Sequence, residues 1–540
     1  GAYSIKTEIL KKNLFGVDLD SKAVEITKLN LLLKAAEKNR KLPVELDIHI
    51  RHGNSLIDKS EVIGFNDAFN WGGEFKAGTF DMIIGNPPYI RIQALDDKSV
   101  AFFNSTYKSA TKNYDIYALF VEKGLSLLKE GGILGYILPS KFFNADYGEG
   151  LRKLIAGNKA LYEVVDFKDF QVFDTATTYT CLLFLKKTNN KQFSYLQLVD
   201  KTKLKQTKTL SSNLIEESKQ KEPQGSGSWV FTSGKDRSIM DKLDNAKLRL
   251  GDITKNIFQG LTTSADKVYL LQLLEESADT LKVFSKALGK EYVLEKELLK
   301  PILKGQEIRK WSISKFKYVV LFPYKVENGK AKLIEFELIK KNYPKTAKYL
   351  EDAKNILQDR QEGKMKGIKE WYGYIYRKNL EKYEQQKILT QVLASRNSFT
   401  LDEKGQYYFV GGGNAGGYGI TLGKEFENDY YVVLALLNSK LLEFYLQHIS
   451  TPFRGGFYSY GKRFIEKLPI IMPSDKSELT NLSKKQLERS KTLQSFGDKK
   501  TSETAKLELE IKEANEEIND LVYKMYKITE EEKRIIETNL

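Results

Sequence analysis

The chain has one cysteine and three histidines among its 540 residues, and each scarcity removes a class of chemistry. A lone Cys181 excludes an intrachain disulfide framework and is consistent with a reducing compartment. It lies in the apolar run Cys181-Leu182-Leu183-Phe184-Leu185, the setting of a small core residue rather than of a nucleophile. His49 and His52 lack the Cys or carboxylate partners that a metal site needs, so they read as strand-edge residues and no metal is expected. No apolar run has the roughly 20 residues of a membrane helix, and the N-terminus has no signal-peptide pattern, so the expectation is a cytoplasmic protein with no membrane partner. The glycine-rich stretch from Gly411 to Gly417 lacks the Gly-Lys-Ser/Thr ending of a phosphate-binding Walker loop. Glu74-Phe75-Lys76 alone is too common a triplet to make a nuclease centre. Basic residues, by contrast, are plentiful: 86 Lys and Arg against 71 Asp and Glu give a formal charge of +15, which favours a polyanionic partner. The length is enough for two or more domains, each with its own core.

The most informative stretch is Phe80-Asp81-Met82-Ile83-Ile84-Gly85-Asn86-Pro87-Pro88-Tyr89. Met82, Ile83 and Ile84 read as a short strand covered on both faces. The two prolines then stop it, because each lacks an N–H and fixes its own φ, and Pro87 pushes Asn86 away from the α region. The Asn86 amide oxygen and the neighbouring carbonyls are thereby held in one rigid, extended turn, an acceptor site suited to a planar amino group. Accepting both hydrogens of such an amine localises its lone pair, and Tyr89 offers a flat surface for the ring that bears it. A plain rigid turn is the competing reading.

Around this stretch the pattern alternates between strands and helices. Leu14 to Asp18 reads as a strand, with a helix after it, and an acidic residue at such a strand end commonly accepts ribose hydroxyls, a place Asp18 occupies. Asp20 is better read as a helix cap. Ile48 to Leu56 is a strand ending in a polar turn, where Asn54 either hydrogen-bonds a nucleoside base or simply turns the chain. A helix is expected from Tyr114 to Glu130, stopped by Gly131-Gly132, and further strands at Ile133 to Pro139, Glu163 to Phe167 and Thr178 to Leu185. This order implies an α/β fold with a mostly parallel, doubly wound sheet, and Asp18, Asn54 and Asn86 all fall at the strand ends where such sheets bind ligands.

Asn-Pro-Pro-Tyr after an apolar strand resembles the catalytic motif of amino-group methyltransferases that use S-adenosylmethionine (SAM), whether the amine belongs to adenine or to a glutamine side chain. Asn13 to Asp20, Gly53 to Leu56, Asn86 to Tyr89, Asp115 to Lys123 and Gly132 to Pro139, in that order, are similar to gamma-class DNA adenine-N6 methyltransferases, in particular to the modification half of type IIG restriction-modification enzymes. The resemblance implies a Rossmann-like SAM-dependent sheet. In it Asp18 would hold the SAM ribose and Asn54 its adenine, Asn86 and Pro87 the target amine, and Tyr89 the flipped base. Val172-Phe173-Asp174 resembles a later motif whose phenylalanine also packs on that base, although core packing serves Phe173 equally well. The family carries a glycine-rich loop before the strand that holds Asp18, and no counterpart lies between Gly1 and Asp18. The expectation is a sheet incomplete at its N-terminal end, weak SAM binding by the isolated chain, and a cofactor-loop or nuclease segment supplied in cis or in trans.

The methyltransferase part is expected over residues 1–221, with a connection at 222–229 marked by Pro223, Gly225 and Gly227. Residues 230–472 interleave basic, hydroxyl and aromatic groups with glycine-rich turns, including Ile257 to Ser264, Lys300 to Ile308, Ser395 to Thr400 and Gly411 to Tyr418. Such loops follow phosphates with backbone N–H groups and reach base edges with Arg or Asn, and the candidates for double-stranded DNA are Arg396, Asn397, Asn414 and Arg454. Leu434 to Phe444, Arg454-Gly455-Gly456 and Lys467 to Ile470 are similar to the TaqI-like specificity domain of the same enzymes, which implies an α+β target-recognition domain and disfavours a glutamine substrate. Tyr372, Tyr374 and Tyr376 are expected to share a strand face. Residues 473–540 carry a helical apolar stripe and are expected to form a hairpin packed on that domain.

Overall fold

Asp20 accepts a hydrogen bond from the Lys22 amide at 2.8 Å and caps the helix Ser21–Ala35, as its place before the apolar pattern predicts. The computed structural model describes residues 2–37, 49–57, 67–75, 80–168, 170–173, 178–198, 200–207, 209–223, 225–232, 234–413, 415–453, 455–497 and 499–540. They divide into two units, Gly1–Ser233 and Gly234–Leu540. Both are mixtures of helix and sheet.

The first unit contains β1 (Phe15–Asp18), β2 (His49–His52), β3 (Phe80–Gly85), β4 (Leu128–Pro139), β5 (Leu161–Asp166), β6 (Thr180–Lys186), β7 (Gln192–Leu198) and β8 (Ile215–Lys221). β1 and β2 form a parallel pair of their own, and the other six form one sheet in the order β3-β4-β6-β5-β7-β8. In that sheet β3 with β4 and β5 with β7 are parallel, whereas β4 with β6, β5 with β6 and β7 with β8 are antiparallel. The expectation of a mostly parallel sheet is thus corrected to a mixed one. Apolar alternation is the same in either strand direction, and no crossover helix is found among the described residues between β5 and β6.

Two further expectations change. β4 begins at Leu128, before the glycine pair, because Gly131 takes a φ of 80° inside the strand and the pairing with β3 shifts there; the helix is Tyr117–Leu127. β3 is not covered on both faces: Ile83 packs on the core, but Met82 is 64% and Ile84 78% exposed, and among the described residues β3 pairs only with β4. The core itself lies between β4, β6, β5 and the helix Tyr117–Leu127, with Leu134, Leu138, Val164, Leu183 and Cys181 fully buried; Cys181 is the core residue expected. Residues around 222–229 pack on this unit, for the Glu222 amide donates to the Lys191 carbonyl and the Trp229 amide to that of Phe143.

The second unit holds a six-stranded sheet running from Lys290–Glu295 through Leu270–Glu276 and Tyr318–Leu321 to Tyr408–Phe409, antiparallel except for its last pair. A four-stranded antiparallel sheet joins Thr254–Gln259, Gly417–Leu422, Lys387–Gln391 and Thr400–Asp402. Tyr372 and Tyr374 are buried in irregular backbone and Tyr376 is exposed, so the shared strand face does not form. Helices Ser477–Ser495 and Ser502–Met525 pair as the expected hairpin, burying Ala514, Ile518 and Val522, and Ser477–Ser495 packs on Tyr430–Leu437. None of the described helices is long and apolar enough to cross a membrane.

Candidate active site

Asn86 follows the last residue of β3 and is exposed, while Pro87 behind it is buried. The turn is held from two sides. Tyr89 donates its hydroxyl hydrogen to the Ile137 carbonyl in β4 at 3.1 Å, and its ring meets that of Tyr117 edge-on, with centroids 6.3 Å apart. The Ile116 amide donates to the Ile90 carbonyl at 2.8 Å, and the backbones of Arg91 and Asp115 pair in an antiparallel bridge. Burial pushes the Tyr89 hydroxyl up to about 12, so it stays protonated and the bond to Ile137 persists through the neutral range. Tyr89 therefore stands half-buried, with its ring orientation fixed at both the hydroxyl and the ring edge.

Asp115 adds a group that motif reading had treated only as part of a longer resemblance. Half-buried beside this turn, it has its carboxyl raised by burial, against the opposing pull of Arg91 and Lys141. Tyr117 was likewise visible only as one apolar position in a helix, and nothing in its spacing announces that it supports Tyr89.

Asp18 and Asn54 are brought together. β1 and β2 run in register with Asp18 opposite His52, and the Gly53 amide donates to the Asp18 carbonyl at 2.9 Å. Gly53 is required where it stands, because a Cβ there would lie 2.9 Å from that of Phe69. Asp18 is exposed and accepts from the Asp20 amide through Oδ1. Asn54 is half-buried, and its Oδ1 accepts from the Leu56 amide at 3.0 Å, the turn geometry that was the bland reading of this residue; its NH2 group makes no bond within the turn.

Asn86 and Tyr89 follow a strand of the six-stranded sheet, and Asp18 and Asn54 lie at the end of the separate pair, so among the described residues the two groups do not share one sheet edge. The two sheets are joined by rings instead. Phe15 of β1 stacks on His49 at 4.9 Å and meets Phe80 of β3 edge-on at 5.5 Å, and Phe80 also meets Trp71 and Phe75. His49 is thus a packing residue at a strand edge. Phe173 is half-buried next to Val172, which packs on the cluster of Val165 and Phe167; Asp174 lies outside the described residues.

In the second unit, Asn397 is corrected from a base-reading candidate to a packing residue. It is 2% exposed, its NH2 donates to the Leu437 carbonyl at 2.6 Å, and its Oδ1 accepts from the Tyr460 hydroxyl at 2.9 Å, so no amide group is left for a base edge. Arg396 keeps more than half its side chain exposed, but its guanidinium pairs with Glu443 and donates to the terminal Leu540 oxygen. Asn414 and Arg454 lie outside the described residues. The glycine stretch is part rigid junction and part open tip: the Gly411 amide donates to the Leu261 carbonyl, and a Cβ on Gly260 would lie 2.4 Å from the Phe409 carbonyl oxygen, whereas Gly412 and Gly413 turn at φ of 87° and 59° in open space.

Comparison with known proteins agrees with a chain built of a methylase part and a specificity part. Residues 12–173 match the Eco57I restriction-modification methylase family and residues 300–470 the TaqI-like C-terminal specificity domain. The chain thus carries an Eco57I-type restriction-modification methylase part and a TaqI-like specificity part, and its relatives are type II restriction-modification methyltransferases. It is 33% identical over 494 residues to the type II restriction enzyme and methyltransferase RM.Eco57I of Escherichia coli, a match covering 87% of this chain and 49% of that protein. It is 25% identical over 444 residues to the type II methyltransferase M.BstVI of Geobacillus stearothermophilus, covering 77% and 71%. The chain therefore spans about half the length of the first of these relatives. Among solved structures, the type IIL restriction-modification enzyme MmeI in complex with DNA superposes with a TM-score of 0.61 at 11% identity, over 96% of this chain and 64% of that one, a likeness of fold.

Proposed function

We propose that this chain is the methylase and specificity portion of a type IIG enzyme, transferring a methyl group from SAM to the N6 amine of an adenine flipped out of double-stranded DNA. The observation that carries the reading is the exposed Asn86 beside a Tyr89 ring locked by Ile137 and Tyr117. Asn86 Oδ1 and the Pro87 carbonyl accept the two amine hydrogens, so the nitrogen lone pair points at the methyl donor; Tyr89 holds the base plane by stacking. Phe173 is the second base contact. The unit headed by Gly234 selects the site, with Arg396, Asn414 and Arg454 on phosphates or base edges.

The neighbouring Asp18 and Asn54 fit the nucleoside end of SAM: a carboxylate with a free oxygen for two hydroxyls, and an amide NH2 for a ring nitrogen. SAM supplies the electrophilic methyl group when bound. No described residue forms a glycine cradle for its methionine end, and among the described residues β1 and β3 each have one unpaired edge. We take the donor site to be completed by a segment supplied in cis or in trans.

The test is methyl transfer to duplex DNA by the complete enzyme. Asn86→Ala is expected to lower turnover by roughly 10²- to 10³-fold or more with duplex affinity nearly unchanged; retained turnover would refute the assignment. A second reading, a DNA-binding module without catalysis of its own, is favoured by the incomplete donor site. It predicts duplex binding by the 540-residue chain with no methyl transfer even when the rest of the enzyme is added.

A further inference from the structure

The backbone of the second unit is left-handed at three consecutive residues, Gln361 (φ 47°, ψ 57°), Glu362 (φ 60°, ψ 36°) and Gly363 (φ 82°). Only the last is a residue that adopts this conformation without cost, and strain of this kind persists where surrounding contacts over-determine it. Here the anchor is Arg360, which is buried. Its guanidinium donates to the carbonyls of Leu357, Trp371 and Gly373 at 2.7, 2.7 and 3.0 Å and lies over the Tyr269 ring. Together with a longer bond to the Thr263 carbonyl at 3.4 Å, these tie the turn to the stretches around Trp371 and Thr263, and the next two side chains face outward.

What faces outward has the chemistry of base reading. Gln361 and Glu362 are both exposed, and the Gln361 amide donates to the hydroxyl of Tyr376, a ring that is 48% exposed. Lys364 and Lys369 flank them, exposed, and on its N-terminal side Arg360 borders an open cleft of about 630 Å³ lined also by Asn355, Ile356, Gln358, Asp359 and Lys366. A carboxylate only accepts, so on a major-groove edge it suits the amino group of cytosine; an amide both donates and accepts, as adenine requires. Lysines on either side suit the phosphates.

Building on the DNA reading above, we infer that the strained turn at Gln361 and Glu362 is a sequence-reading element, its two side chains setting the base preferred at one or two positions of the target. The strain is retained because it aims them. Glycine at either position relieves the backbone without touching the Arg360 anchor.

The experiment is selection of bound sequences from a random duplex library by the 540-residue chain and by Gln361→Gly, Glu362→Gly and Glu362→Gln variants, with melting temperatures alongside. The unmodified chain is expected to enrich a defined site. Each glycine variant is expected to melt higher and to lose roughly tenfold or more of its preference at one position, keeping the others and its affinity for unrelated duplex. Glu362→Gln is expected to move the preference at its position from cytosine towards adenine. Variants that melt higher yet enrich the unmodified site overturn this inference alone. A native chain that enriches no sequence overturns the DNA reading, and this inference with it.

Discussion

Asn86 owes its exposure to the proline behind it: Pro87 is buried and cannot extend the β3 ladder, so the side chain before it is left at the sheet's end. That much was legible in four residues of sequence. The support for Tyr89 was not, because Ile137 and Tyr117 lie 48 and 28 positions away and only folding brings them to its hydroxyl and ring. Tyr89→Phe, which removes the anchor and keeps the ring, is expected to raise KM for DNA a few-fold, whereas Tyr89→Ala removes the stacking surface and is expected to cost roughly 10- to 100-fold in kcat/KM; steady-state methylation kinetics distinguish them. Glu222 gives a second prediction at this scale. It is 5% exposed, and burial raises its carboxyl from the ordinary 4.5 to about 7, although the Leu161 amide donates to it. The folded state therefore binds the proton more tightly than the unfolded chain. This stabilising contribution is complete below about pH 4.5 and is lost as the pH rises through 7, by roughly 2 to 3 kcal/mol. Glu222→Gln keeps the acceptor and is expected to flatten that loss, so that urea midpoints at pH 8 are higher for the variant than for the native chain.

At the scale of elements, two strand assignments show where pattern is sufficient and where it is not. β6 was read correctly from its apolar run, and Cys181 sits in the core as that run requires. β3 has the same apolar character yet, among the described residues, pairs only with β4 and leaves Met82 and Ile84 exposed, since a strand's neighbours are chosen by topology and not by its own composition. A charge pair lies buried between the strands Lys387–Gln391 and Thr400–Asp402. Lys387 and Asp402 are 0% and 2% exposed, with Nζ 2.5 Å from Oδ2, and Nζ also donates to the Tyr383 carbonyl. Burial lowers the Lys387 ammonium while Asp402 opposes the shift. Removing one partner leaves the other charged in the interior, so Lys387→Met is expected to lower unfolding free energy by about 3 to 5 kcal/mol. Denaturation of the second unit's sheets, followed by tyrosine absorbance, measures it.

At the scale of the whole molecule, the formal charge of +15 and the match to methylase and specificity families point to a polyanion, and the proposed duplex makes this quantitative. Six to ten phosphate contacts would lower affinity by about 10³- to 10⁵-fold between 50 and 200 mM salt; a flat salt response in a binding titration would remove nucleic acid from the account. Calorimetry of the 540-residue chain with SAM is expected to find weak or no binding, because in the proposed reading Asp18 and Asn54 would meet only the nucleoside end. By itself the sequence determined the strand end at Asn86 and Pro87, the cap at Asp20, the core role of Cys181 and the C-terminal hairpin. All of these follow from residues close together in the chain, whose backbone preferences and apolar spacing act locally. Tertiary structure alone decided which sheet each strand joined, that Asn397 is spent on Leu437 and Tyr460, and that Gln361 and Glu362 are held left-handed by Arg360. Those outcomes depend on partners far apart in sequence, and a buried donor or acceptor takes whichever partner the fold brings within reach.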